Sequence, residues 1–265
     1  MILTKKIKED IIKHAKESYP NESCGLVLSL EGNTPNKEYM PCKNLSASAD
    51  QFYIDPKDIV RSEAKGNILA YVHSHPNGSC KPSEPDLAQM ALHGKAWIIC
   101  SYEPDVESEV GIYEPEAYRV PLLGRSYHHG LQDCYSIVRD YYYRELNIRL
   151  NDYERLDNWW LEEDTKSLYL DNFSKEGFIP VTDGIRKHDV ILFTLGRTFH
   201  VNHAGIFLGD GDLTSEDSPK VIGNSLFIHH PYNKKALREI YGNFWEARTT
   251  FVLRHESLLD QELIQ

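Results

Sequence analysis

The chain has 265 residues, 41% hydrophobic, 11% aromatic and 26% charged, a mixture that builds real cores and excludes a disordered chain; its length favours two domains of ordinary size. The 40 acidic against 29 basic side chains leave a formal charge of -11, which repels a phosphate backbone and argues against nucleic acid as a partner. No segment approaches the roughly twenty apolar residues a bilayer demands, the charged opening MILTKKIKED fails as a signal peptide, and 5 cysteines without paired spacing make neither a disulfide framework nor a four-cysteine zinc knuckle. The expectation is a soluble protein kept in the cytoplasm where it is made.

Residues 4–18 place Ile7, Ile11, Ile12 and Ala15 on one face at helical spacing, the pattern of an amphipathic helix. After the turn-forming Tyr19, Pro20 and Asn21, the mostly apolar run from Cys24 to Leu30 is short enough for a buried strand. A second such run, Ile68 to Val72, leads into Tyr-Val-His-Ser-His-Pro; Asp86 to His93 reads as a helix and Ala96 to Cys100 as a further strand. Strands alternating with helices predict an α/β layer structure over residues 1–120. Pro121 to Ser126 reads as a linker, Asp133 to Leu150 as a helix carrying aromatic residues, and 189–193, 204–208 and 227–230 as short strands. Helix first and sheet afterwards predict an α+β domain over residues 121–265.

Two residues apart on a strand, His73 and His75 share a face, so both imidazoles can reach one ion. Asp86 stands at the start of the next helix, with Ser83 placed to cap it and Pro85 suited to its first turn. Two neutral imidazoles and a carboxylate leave a fourth tetrahedral position for water, as in a catalytic zinc site. Hydrolysis also needs a carboxylate to take the proton of water and pass it to the leaving amine, and Glu22, just ahead of an apolar strand, is the candidate. A bare His-x-His pair reads more readily as ordinary loop histidines, and Cys80 and Glu84 are competing ligands that read more simply as loop residues.

Glu22 in YPNESCGLVL, His73-x-His75 and Ser83-x-x-Asp86 together resemble the JAMM (MPN, Mov34) metalloprotease family, over about residues 1–118. The resemblance implies a cytidine-deaminase-like α/β sheet with helices, zinc (Zn2+) held by His73, His75 and Asp86, Glu22 as general acid/base, and Ser83 as an oxyanion stabiliser. JAMM relatives cleave peptide or isopeptide bonds in protein conjugates.

Further on, Cys134 in Gln-Asp-Cys-Tyr-Ser-Ile-Val falls in the first turn of a helix, whose positive end lowers a thiol pKa and favours the nucleophilic thiolate. His203 opens a strand, with Gly205 allowing close approach, and His229 or His230 offers an orienting group on a later strand. Each residue alone reads as ordinary core or surface. Asp-Cys-Tyr-Ser-Ile-Val, His-Ala-Gly-Ile-Phe-Leu-Gly and Phe-Ile-His together resemble the NlpC/P60 family of papain-like cysteine peptidases, over about residues 124–250. By that resemblance Cys134 is the nucleophile, His203 the base and His229 the orienter, with Tyr127 lining the site. His188-Asp189 replaces the family's Gly-Asp, and an acidic insertion from Asp210 to Pro219 leaves His229 against His230 open.

A JAMM domain fused to an NlpC/P60 domain resembles a tail-assembly family of lambda-like phages and prophages. That implies tail-tip proteins as partners, peptidoglycan stem peptide as a substrate for the cysteine half, and a place in the host cytoplasm or at the virion tail tip. The reading is a bifunctional peptidase; the alternatives are an assembly scaffold that uses peptidase folds as binding modules, and a cellular deconjugating enzyme.

Overall fold

The computed structural model describes residues 1–30, 36–115, 120–156, 158–164 and 167–259. It divides into two units, Met1–Val120 and Pro121–Gln265.

In the first unit, helix α1 (Lys5–Ser18) starts at Thr4, whose side chain accepts from the Ile7 amide. It buries Ile7, Ile11 and Ala15 against Val27, Tyr39, Ala70, Val72 and Ile98 on one face of a sheet, while Ile12 is only half-buried. Each fully buried aliphatic side chain there contributes about 1.5–3 kcal/mol. The sheet runs in the order β2 (Asn36–Cys42), β1 (Cys24–Leu30), β3 (Gly66–Pro76), β4 (Ala96–Tyr102), β5 (Val110–Tyr113). Only β3 and β4 are parallel. Helix α3 (Glu84–His93) makes the crossover between them, and α2 (Pro56–Glu63) precedes β3. Sequence reading missed β2 and α2: β2 is an edge strand whose burial barely alternates, and α2 is two turns long. A loop leaving the carboxyl end of a parallel strand is where α/β sheets place ligands, and the β3–α3 loop is of this kind.

In the second unit, α4 (Cys134–Leu146) is the only helix of more than two turns among the described residues. It ends earlier than the expected Leu150, because Asn147 turns left-handed (φ 56°) and terminates it. The antiparallel sheet has the order β10 (Leu237–Ile240), β9 (Leu226–His229), β8 (His203–Gly209), β7 (Val190–Phe193), β11 (Thr249–His255), β6 (Phe178–Pro180), and α5 (Asn243–Glu246) precedes β11. Along β8, Ala204, Ile206 and Leu208 join the core shared with Ile137, Val138, Tyr141 and Tyr142 of α4, while Phe207 joins Phe193 and Phe227 in a cluster of its own. This is the two-residue alternation of a strand buried on both faces. Gly205 is required: a Cβ there would stand 2.9 Å from the Ile228 carbonyl oxygen and 2.7 Å from the Phe227 ring.

The residues expected to be a linker are built into this unit. Leu122 is fully buried in its core. The buried Arg125 binds Asp140 at 2.5 Å and the Ser136 hydroxyl at 3.1 Å. Glu216, from the acidic insertion, accepts from the Leu122 and Leu123 amides at 2.6 and 3.1 Å. His188, in the place of the family's glycine, has a left-handed backbone (φ 78°), held by Tyr142, whose hydroxyl donates to the His188 carbonyl at 2.6 Å. Asp189, wholly buried, takes a bidentate ion pair from Arg254 at 2.8 and 2.7 Å.

Candidate active sites

The antiparallel register of β1 on β3 pairs Cys24 with His73. Two hydrogen bonds carry the ladder outward, Ser23 N to Ser74 Oγ at 2.8 Å and Ser74 N to Ser23 O at 3.1 Å, which brings Glu22 level with His75. On β3 both imidazoles face the same side, and their Nε2 atoms lie 2.9 Å apart. Asp86, in the first turn of α3, presents Oδ1 to His73 Nε2 and Oδ2 to His75 Nε2, each at 3.2 Å. Phe52 stacks on His73 at 4.7 Å between centroids, and Trp97 meets it edge-on at 5.2 Å; neither aromatic figured in the sequence expectation.

His75 Nδ1 sits 2.8 Å from the Ser79 carbonyl oxygen. A carbonyl only accepts, so Nδ1 carries the hydrogen and Nε2 turns its lone pair inward. Zinc bonds of about 2.0–2.2 Å in a tetrahedron set donor atoms about 3.3 Å apart; the two Nε2 atoms lie 2.9 Å apart, and each stands 3.2 Å from a different oxygen of the one Asp86 carboxylate. His73, His75 and Asp86 are thus a donor set suited to one ion. Burial opposes the charge on Asp86, but hydrogen bonds to His73 and His75 outweigh it and hold the carboxyl well below its usual range. Burial lowers His73, while at His75 the Asp86 contact overcomes burial and raises it. Glu22 behaves oppositely: burial lifts its carboxyl to about 7, with His75 pulling it down and Asp86 and Asp50 pushing it up.

Ser83 is the N-cap of α3, in a reciprocal capping box with Asp86. Its hydroxyl stands 2.7 Å from Asp86 Oδ2, which also accepts from the Ser83 amide at 2.7 Å. The hydroxyl hydrogen expected to face an oxyanion is directed at the carboxylate instead.

In the second unit Cys134 is the first residue of α4, behind the N-cap Asp133, whose Oδ1 accepts from the Tyr135 and Ser136 amides at 3.1 and 2.9 Å. Asp133 Oδ2 is held by the buried Arg155 Nε at 2.7 Å and the Gly130 amide at 2.9 Å. The thiol is 3.0 Å from the Tyr169 hydroxyl, a contact that sequence reading missed. Burial, reinforced by the Asp133 carboxylate, pushes Cys134 up to about 12. This corrects the expectation of a thiol pKa lowered by the helix terminus: desolvation of the thiolate exceeds what that terminus offers and moves it the other way.

His203 Nε2 lies 2.8 Å from His229 Nδ1, and His229 Nε2 lies 3.1 Å from Glu239 Oε2. His229 is therefore the residue paired with His203; the buried His230 instead packs its ring edge-on against Tyr127 at 5.2 Å. Burial lowers His203 to about 3 and His229 to about 2, so both imidazoles are neutral at rest. Cys134 and His203 line one cavity of about 290 Å³ with Tyr127, Trp160, Tyr169 and Trp245. Glu239 carried no signal in the sequence, since an acidic residue on a half-exposed edge strand reads as a solvated face.

Prokaryotic homologs of the JAB domain match residues 4–113, and the NlpC/P60 family matches residues 124–254. The chain is a two-domain protein, a JAB/MPN domain followed by an NlpC/P60 domain. The tail tip assembly protein K of Escherichia phage N15 is 30% identical to it over 261 residues, 98% of this chain and 98% of that protein. The tail tip assembly protein K of Escherichia phage lambda is 32% identical over 206 residues, 77% of this chain and 90% of that protein. The chain belongs to the family of these tail tip assembly proteins. A JAB1/MPN domain protein from Archaeoglobus fulgidus is 25% identical, covering 43% of this chain and 90% of that one, at a TM-score of 0.31. Among the described residues no helix is long and apolar enough to cross a membrane.

Proposed function

We propose that the chain is a bifunctional peptidase of a phage or prophage tail tip, with a zinc-dependent peptide or isopeptide hydrolase in the first domain and a cysteine amidohydrolase in the second. The observation that carries the first half is the convergence of His73 Nε2, His75 Nε2 and the Asp86 carboxylate within 4.8 Å of one another, close enough to Glu22 to shift its carboxyl. His73, His75 and Asp86 would hold the ion, with Ser83 orienting Asp86. A bound zinc supplies Lewis acidity toward water and the scissile carbonyl. Glu22 takes the proton of the attacking water and delivers it to the leaving nitrogen, a task suited to a carboxyl poised near neutrality. Ser83 reaches an oxyanion only by releasing Asp86, and its part in catalysis is proposed on that condition.

At the second site the Cys134 thiol gives its proton to His203, and the sulfur attacks the carbonyl carbon. The C–N bond then breaks, the amine leaves with the proton from His203, and water cleaves the thioester. His229 orients His203. The aromatic walls of the cavity suit a short peptide threaded past them, and the stem peptide of the peptidoglycan that a tail tip meets is the proposed substrate. The proposed partners are other tail proteins, encountered in the host cytoplasm during assembly and at the virion tail tip.

Metal analysis of the purified protein tests the first half. About one zinc per chain, lost in His73→Ala, is expected; a metal-free protein after zinc loading defeats it. Incubation with purified peptidoglycan tests the second: stem-peptide fragments should appear and vanish with Cys134→Ser. One observation favours a second reading, an assembly scaffold: both curated relatives are named for assembly. Tail formation and infection unimpaired in a Glu22→Gln, Cys134→Ala double variant would establish it over the peptidase reading.

A further inference from the structure

The relay behind Cys134 ends in a group that no expectation included. His229 bridges two partners, His203 Nε2 at 2.8 Å on its Nδ1 and Glu239 Oε2 at 3.1 Å on its Nε2. A neutral imidazole carries one hydrogen, on one nitrogen, and presents a lone pair on the other. An ionised carboxylate only accepts. With Glu239 on Nε2, the single hydrogen of His229 must sit on Nε2, and Nδ1 becomes an acceptor. His203 Nε2 then has to donate, so the single hydrogen of His203 sits there and its Nδ1 lone pair is bare. Nδ1 is the nitrogen left for the thiol.

We propose that Glu239 is a positioning residue of the Cys134 site: through His229 it fixes the proton of His203 on Nε2 and so makes Nδ1 the base that takes the thiol hydrogen. The inference rests on the nucleophile and base roles proposed above and adds the group that sets the tautomer. When the S–H bond breaks and the N–H bond forms at Nδ1, the positive charge that develops on His203 faces a hydrogen-bonded chain ending in a carboxylate. Among the described residues no other carboxylate is hydrogen-bonded to the two rings: His229 also packs on Phe227 at 4.5 Å and Trp245 at 4.8 Å, and His203 on Trp245 at 6.0 Å. Without Glu239, nothing stops His229 from placing its hydrogen on Nδ1. His203 would then accept at Nε2 and carry its own hydrogen on Nδ1, leaving no bare ring nitrogen to take the thiol hydrogen. A carboxylate that holds a catalytic imidazole in its working tautomer is the logic of the serine-protease aspartate, here relayed through a second imidazole.

Ring-nitrogen NMR of the histidine-labelled full chain reads the tautomer directly, and alkylation of Cys134 by iodoacetamide at one neutral pH reads its consequence without any peptide substrate. The expected result is a wild-type His203 protonated on Nε2. Glu239→Leu should shift population to the Nδ1-protonated form and slow Cys134 alkylation about 10-fold or more. Glu239→Gln, whose carbonyl still accepts from His229 Nε2, should restore much of both. A wild-type His203 protonated on Nδ1 overturns the inference with no variant needed, and so does an unmoved tautomer in a folded Glu239→Leu protein. His203→Ala separates the two levels. If it leaves alkylation unchanged, the nucleophile–base reading fails and takes the inference with it; if alkylation depends on His203 but not on Glu239, only the inference fails.

Discussion

The two sites handle charge in opposite ways. At the β3–α3 loop the fold gathers ions: Asp86 is held far down the acid range by two imidazoles, His75 is raised by Asp86, and Glu22 sits near 7 among them. Around Cys134 the thiol and the imidazoles are held neutral beside the buried Asp133–Arg155 ion pair, since burial pushes the thiol up to about 12 and His203 and His229 down to about 3 and 2. A carboxylate beside inward-turned imidazole lone pairs suits the cation proposed for it. A thiol and two imidazoles held neutral suit the proton transfer proposed along them, because each charged form is penalised until it forms beside its partner. The two proposed hydrolytic sites would thus depend on different agents, a metal ion in one and a relay geometry in the other.

Removing the chemistry one site at a time should break that comparison most sharply. Cys134→Ser is expected to cut stem-peptide cleavage by about 10⁴-fold or more while zinc content stays unchanged. Glu22→Gln is expected to lower the metal-dependent activity by about 10²–10⁴-fold with zinc still bound and Cys134 alkylation unmoved. Loss of both activities in either single variant would mean that the two sites are not independent.

Asp133→Ala probes the buried ion pair beside the thiol. It removes the cap of α4 and strands the buried Arg155, at an expected cost of about 3–5 kcal/mol, read by denaturant unfolding together with loss of Cys134 reactivity. Acidification sharpens the contrast further. The folded pKa values of His203, His229 and His230, about 3, 2 and 4, lie below the unfolded value near 6.5. The native second domain therefore binds fewer protons than its unfolded chain below pH 6.5. Its stability is complete above that pH and declines on acidification, by about 2 kcal/mol per histidine at pH 5. Amide exchange in β7 should accelerate between pH 7.5 and 5 once intrinsic rates are removed, and should do so more than in β3, whose raised His75 and lowered His73 act in opposite directions.

The smallest effect is expected at His188. Glycine there relieves a left-handed backbone worth about 1–2 kcal/mol but loses the bond from the Tyr141 hydroxyl to Nδ1 at 2.8 Å. His188→Gly should therefore change stability by less than about 1 kcal/mol, whereas His188→Ala keeps the strain, loses the bond and costs about 1–2 kcal/mol by thermal unfolding.

Much of both sites was legible because local rules place the residues. Period two on a strand put His73 and His75 on one face, and a capping pattern put Asp86 and Ser83 in the first turn of α3. The same capping logic put Cys134 at the head of α4. What escaped were partners set by register and packing between distant segments: Phe52 on His73, Tyr169 on Cys134 and Glu239 on His229. The state of the thiol escaped for a related reason, since a helix terminus is visible in sequence and the desolvation of a pocket is not.

By itself the sequence determined two domains, the class of each, and the residues proposed as donors, nucleophile and base, because these follow from periodicity, caps and short motifs that act over a few residues. Only the tertiary structure decided that His229 rather than His230 meets His203, that Ser83 spends its hydroxyl on Asp86, and that Cys134 rests protonated. Those outcomes depend on which strand lies beside which and on how completely water is excluded, quantities fixed by the packing of residues far apart along the chain.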